Sequence, residues 1–161
     1  MEIPFECTAG DYADAQIAHS RTQAIYYAFL TLGLMALVIG ITMFPKMGLA
    51  VSLPEFVLGA VFLLWPLVFL PVHAKRDFKK HPHMAGPKLL RVGDEGFGLE
   101  SDNSSSKSNW SLITRFRETP HVFMLYVGAR NFMIVPKRAF SSTELDQFCA
   151  LVRQKVPGKY L

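Results

Sequence analysis

Along the chain the spacing of apolar residues changes rhythm several times. In "MEIPFECT", Ile3, Phe5 and Cys7 alternate with Glu2, Glu6 and Thr8, the period of two that predicts a strand. Thr8-x-x-Asp11 is a helix-start pattern, a weaker relative of the capping box, and "GDYADAQIAHSRTQ" is expected to be helical. Two uninterrupted apolar runs follow. "IYYAFLTLGLMALVIGITMF", Ile25–Phe44, has twenty residues, ten of them Leu, Ile, Val or Phe, and no charge. As a helix it would measure about 30 Å, the thickness of a bilayer's hydrocarbon core. A helix this long in a water-facing protein normally carries a polar stripe. "LPEFVLGAVFLLWPLVFLPV", Leu53–Val72, is as long. Ser52 and Glu55 make a capping-box pattern with Pro54 in the first turn, Pro66 is expected to kink the helix, and Pro71 to end it. The link "PKMGLAVS" is too short for a domain, so the runs predict an antiparallel helical hairpin. Ala36 and Gly40 form a small-xxx-small pair that admits a close neighbour. The second span is the expected occupant; a dimer seam is the alternative.

Beyond Lys88 the rhythm is again that of strands. "KLLRV" and "FGLES" flank the turn "GDEG". "SDNSSSKSN" reads as a polar loop. "WSLITRFRE" alternates Trp110, Leu112, Thr114 and Phe116 against Ser111, Ile113, Arg115 and Arg117. "HVFMLYV" is apolar on both faces and is placed centrally in a sheet; "GARN" turns into the strand "FMIV". Ser141-x-x-Glu144 then opens a helix whose stripe, Leu145, Phe148, Cys149, Val152 and Val156, should close one side of the sheet. The fold class is thus an α+β membrane protein: a two-helix transmembrane hairpin with an antiparallel β domain closed by a C-terminal helix. A bent sheet so closed is the arrangement of pleckstrin-homology (PH) domains, a topology that periodicity permits but does not select. The chain divides into residues 1–24 (strand and helix), 25–72 (hairpin, spans 25–44 and 53–72), 73–88 (basic juxtamembrane linker) and 89–161 (PH-like domain).

Charge adds orientation. The whole chain is +4, with 17 basic and 13 acidic residues. Lys75, Arg76, Lys79, Lys80, Lys88 and Arg91 lie between His73 and Arg91, with Asp77 the only acid, so the net positive charge is confined to one band. The hairpin loop holds only Lys46, and Arg21 precedes the first span. The positive-inside bias therefore places both termini in the cytoplasm, and Lys75, Arg76, Lys79 and Lys80 become a membrane-surface collar. Acids precede any base at the N-terminus, which argues against a signal peptide.

The ordered motifs "AGDYADAQIAHS", "LLRVGDEGFGLES", "NWSLITRFRET" and "IVPKRAFSSTELDQF" carry a resemblance that covers nearly the whole chain. In layout the protein resembles the bacterial YcxB-like membrane proteins. The resemblance implies two spans in the cytoplasmic membrane and a cytosolic module, and no particular chemistry.

Candidate chemistry changes this picture little. No GxSxG, P-loop or GxGxxG appears, and the glycines of "GDEGFG" suit a hairpin turn better than a phosphate cradle. Cys149 sits on an apolar stripe, and Cys7 and Cys149 fit no disulfide framework. His81-Pro82-His83 offers two imidazoles where a structural zinc needs four ligands, so no metal site is assigned, and a titratable linker is the plainer reading. The basic band abuts a span, which disfavours nucleic acid. We therefore expect a non-enzymatic protein with no cofactor, whose partners are the bilayer and a protein or anionic headgroups. Arg115, Arg117, Lys137 and Arg138 are the candidate surface. Two other readings stay open: an immunity-type protein that occludes a toxin, and a small subunit that assembles through Ala36 and Gly40 into a larger membrane complex.

Overall fold

The computed structural model describes residues 1–81, 84–101 and 104–156, and the chain divides into two units, Gln16–Lys75 and Met1–Ala15 with Arg76–Leu161. The first unit is a helical hairpin. Helix α2 covers Ala24–Met47 and α3 covers Leu49–Leu64; α3 runs through a π turn, Trp65–Phe69, into α4, Leu70–Lys80. Both resulting helices are long and apolar enough to cross a membrane.

The two ends of the second span differ from expectation. The eight-residue link shrinks to Gly48, whose φ of +75° and ψ of 178° favour glycine and reverse the chain in one residue. Ser52 does not cap. It lies one turn inside α3, and its Oγ donates to the Gly48 carbonyl at 3.1 Å. Pro71 does not end the helix either. The π turn at Pro66 widens the backbone, with the Leu70 N–H reaching Trp65 O, and such a turn can absorb the hydrogen bonds that prolines lose. Most of the basic band therefore continues a helix rather than forming a linker.

Small residues set the spacing of α2 and α3. Gly33, Ala36 and Gly40 are buried on α2, and Ser52 and Gly59 on α3. A Cβ on Gly59 would stand 3.0 Å from Gly33 O, and one on Gly40 would meet the Phe56 ring at 3.0 Å. Phe29 packs on Phe62 and Trp65, with centroids 5.4 and 6.3 Å apart. Away from this seam the helices expose Leu34, Ile41, Val57 and Leu67 by 57–62% or, for Val57, 54%.

The second unit is built on two antiparallel meanders. Strands β1 (Glu2–Phe5), β2 (Lys88–Val92), β3 (Gly96–Ser101) and β4 (Ser104–Asn109) form one sheet in that order. Strands β5 (Arg115–Glu118), β6 (Val122–Tyr126) and β7 (Phe132–Pro136) form the other, with β6 central as its two apolar faces required. Ile3 pairs with Leu90 and Phe5 with Lys88, so the N-terminal strand is an integral edge of a sheet whose other strands lie beyond the hairpin. Helix α1 (Ala9–Ser20) starts on reciprocal Thr8–Asp11 hydrogen bonds. Helix α5 (Ser142–Lys155) starts on a full Ser141–Glu144 capping box.

Alternation brings Ile3, Phe5, Leu90, Phe116, Phe123 and Leu125 inward, and the α5 stripe adds Phe148, Val152 and Val156. The Phe148 ring, fully buried, stands 5.1 Å from Phe123 and 5.0 Å from Phe140. Two stretches depart from the sequence reading. Ser104–Asn109 is strand β4, because β3 supplies backbone partners that composition does not reveal. Trp110–Leu112 is a 3-10 turn that shifts the alternation, so Ile113 is buried and Leu112 is 54% exposed.

Candidate functional site

The predicted cations lie on α4, on β5 and in the turn that follows β7. On α4, Lys75, Arg76, Lys79 and Lys80 are all exposed, while Ala74 and Phe78 are buried. Among the described residues, only Lys80 of these four has a carboxylate within 4 Å, Asp77 at 3.9 Å. Lys79 and Lys80 fall in the last turn of α4, where the helix dipole favours positive charge. His81 follows, its Nδ1 2.9 Å from Asp77 O; His83 lies outside the described residues. Among the described residues no three His, Cys, Asp or Glu side chains gather closely enough to hold a metal ion.

Arg115, Arg117, Lys137 and Arg138 are divided among local tasks. Arg115 lies over the Tyr126 ring at 4.9 Å and donates to Ala129 O. Arg117 faces Met124 across the β5–β6 ladder. Lys137 pairs with Glu118 at 2.6 Å and sits 5.0 Å above the Phe123 ring. Arg138 makes a fork onto Asp11, with Nη2 2.7 Å from Oδ2, and also donates to Glu6 O. Asp11 is 4% exposed. Burial alone would raise its carboxyl; the Arg138 guanidinium and the Thr8 donors overcome that and hold it below the usual carboxylate range. Sequence spacing had no means of joining Asp11 to Arg138, 127 residues away.

Both thiols are pushed up, chiefly by burial, which keeps them protonated and poorly nucleophilic. Two hollows went unread in the sequence. A shallow one of about 680 Å³ runs over β3 and β4, where Arg91 is already paired with Glu2 and Glu100 at 2.9 and 2.7 Å. A smaller apolar one, about 340 Å³, is bordered by β1, β7, the end of α4 and Lys88.

Residues 92–152, from the end of β2 into α5, match the model of the YcxB-like protein family. The uncharacterized protein YcxB of Bacillus subtilis (strain 168) is 25% identical over 111 residues, covering 68% of this chain and 60% of the relative. The match thus spans about three fifths of that relative's length. No solved structure matches the chain. The YcxB-like resemblance carried by the ordered motifs is borne out by these two matches.

Proposed function

We propose that the chain is a multi-pass protein of the bacterial cytoplasmic membrane that displays a PH-like module on the cytoplasmic side. The module binds a protein partner or anionic lipid and catalyses no reaction. One observation carries the topology. Strand β1 precedes the apolar hairpin and β2 follows it, yet Glu2–Phe5 pairs residue by residue with Lys88–Arg91. Strands in one sheet occupy one compartment, so an intervening segment that crosses a bilayer must cross it an even number of times.

Three further features support the reading. The hairpin's outward residues are chiefly Leu, Ile, Val, Met and Phe, which water would disfavour by about 25 cal/mol per Å² and hydrocarbon would accept. The turn end of the hairpin carries one cation, Lys46 in the last turn of α2, whereas four exposed cations line α4, each worth about 1 kcal/mol beside an anionic leaflet. Meanders of four and three strands with a capped C-terminal helix support the PH-like reading.

Reporter fusions test the topology. A fusion after Leu161 should report cytoplasm, and one inserted at Gly48 the outside; the reverse pattern rejects the proposal. Recognition is tested by crosslinking the full chain in native membranes before mild-detergent purification. A recurrent protein partner, or retention of anionic lipid that Lys75→Glu with Lys79→Glu abolishes, supports a docking role. The absence of both rejects it.

A further inference from the structure

The smaller hollow has the chemistry of a ligand site. Its walls come from Phe5, Tyr12, Phe78, Leu99, Phe132 and Met133, all within the mixed α/β unit. Tyr12 and Phe78 close one side, with ring centroids 5.8 Å apart. Its volume, about 340 Å³, lies at the small end of the roughly 300–1,000 Å³ of ligand pockets, room for one chain rather than two.

The lining contains one charged residue, Lys88, and no carboxylate. The lysine is half-buried, and its Nζ donates to Met84 O at 2.6 Å. An ammonium has three donors, so two remain to be used. Lys80, Lys137 and Lys155 each have a carboxylate at 3.9, 2.6 and 3.7 Å. Among the described residues Lys88 has none within 4 Å, although a part-buried cation is costly without a counter-charge. The other polar side chains of the lining, Cys7, Tyr12 and Asn131, include no carboxylate, and burial pushes the Cys7 thiol up.

We infer that this cavity binds a long-chain fatty acid, its alkyl chain among the aromatic walls and its carboxylate on Lys88 Nζ. A tail satisfies the walls, and an anionic head satisfies the ammonium. The site lies within one unit and does not depend on which way the hairpin is oriented.

Photo-crosslinking decides the matter. The full chain in nanodiscs of zwitterionic lipid is irradiated with diazirine-bearing palmitate, and labelled peptides are mapped by mass spectrometry. Label is expected on the segments around Lys88 and Val127–Ile134, displaced by excess palmitate. The diazirine methyl ester, which lacks the anion, should label these segments about tenfold less, as should Lys88→Glu. Val127→Trp, a bulky change at the half-exposed rim, should reduce label while leaving Lys88 in place. Equal labelling by acid and ester, or no reduction in either variant, overturns the inference; if a variant misfolds, the acid-to-ester ratio on the unaltered chain decides alone. Label on α2 and α3 reports the bilayer separately. A labelled cavity with unlabelled helices would count against the membrane reading and leave the fatty-acid site standing.

Discussion

Arg138 shows how one side chain can tie distant segments together. Its guanidinium holds the Asp11 carboxylate and the Glu6 carbonyl, fixing the segment between β1 and α1 to the chain just after β7. Asp11→Asn should destabilise the unit by about 1–3 kcal/mol, because a buried acceptor is lost and the charged donor is left short of a partner. Urea unfolding followed by Trp110 emission in a Trp65→Phe background measures this. The same pair sets a pH dependence. Since the folded-state carboxyl titrates below its unfolded value of about 3.9, the unfolded chain binds the proton first as pH falls. The contribution is complete above that value and disappears as pH drops through the depressed folded one. Asp11→Asn should therefore flatten the acid limb of stability, and an unchanged limb would exclude the pair as its source. Helix caps such as Ser141–Glu144 were legible because both partners lie within one turn. The partners of Arg138 and Lys137 were not, because ion pairs between distant segments leave no periodic trace.

At the level of elements, length and composition were sufficient for the two apolar helices, but not for their ends. Ser52–Glu55 has the residues of a capping box; Gly48, able to adopt a positive φ, starts α3 a turn earlier. Pro71 has the sequence of a stop, because the π turn that carries the helix past it has no sequence signature. Serine-rich β4 has the composition of a loop, because a strand on an exposed edge can owe its form to its neighbour, not to its own side chains. The α2–α3 seam permits a sharp test. A side chain on Gly59 would run into Leu37 and Gly33 O, so Gly59→Leu should cost about 1–3 kcal/mol. The midpoint of SDS-induced loss of the Trp65–Phe29 contact, followed by Trp65 emission, should move to lower SDS. An unmoved midpoint would mean that the helices do not meet there.

For the whole molecule, the central fact is that one sheet is assembled from both sides of the hairpin. The strand patterns of residues 2–5 and 88–92 were legible separately, whereas their pairing was not: register between distant strands depends on a match that no local window contains. Removing residues 1–8 should expose the faces on which Ile3 and Phe5 pack and destabilise the unit by roughly 3–6 kcal/mol. Limited proteolysis of the full chain and of the truncated one would measure this; equal resistance would refute it. The pairing also imposes an order of events in synthesis. Phe5 leaves the ribosome long before Lys88, and β1 must wait, unpartnered, until every residue of the hairpin has been made and β2 has emerged beside it. In a chain threaded through a bilayer, a failed return crossing would strand the two halves in different compartments and leave β2 with an open edge. For a hairpin that crosses a bilayer, the β1–β2 ladder would close only after both crossings were made, so an intact sheet would report a completed anchor.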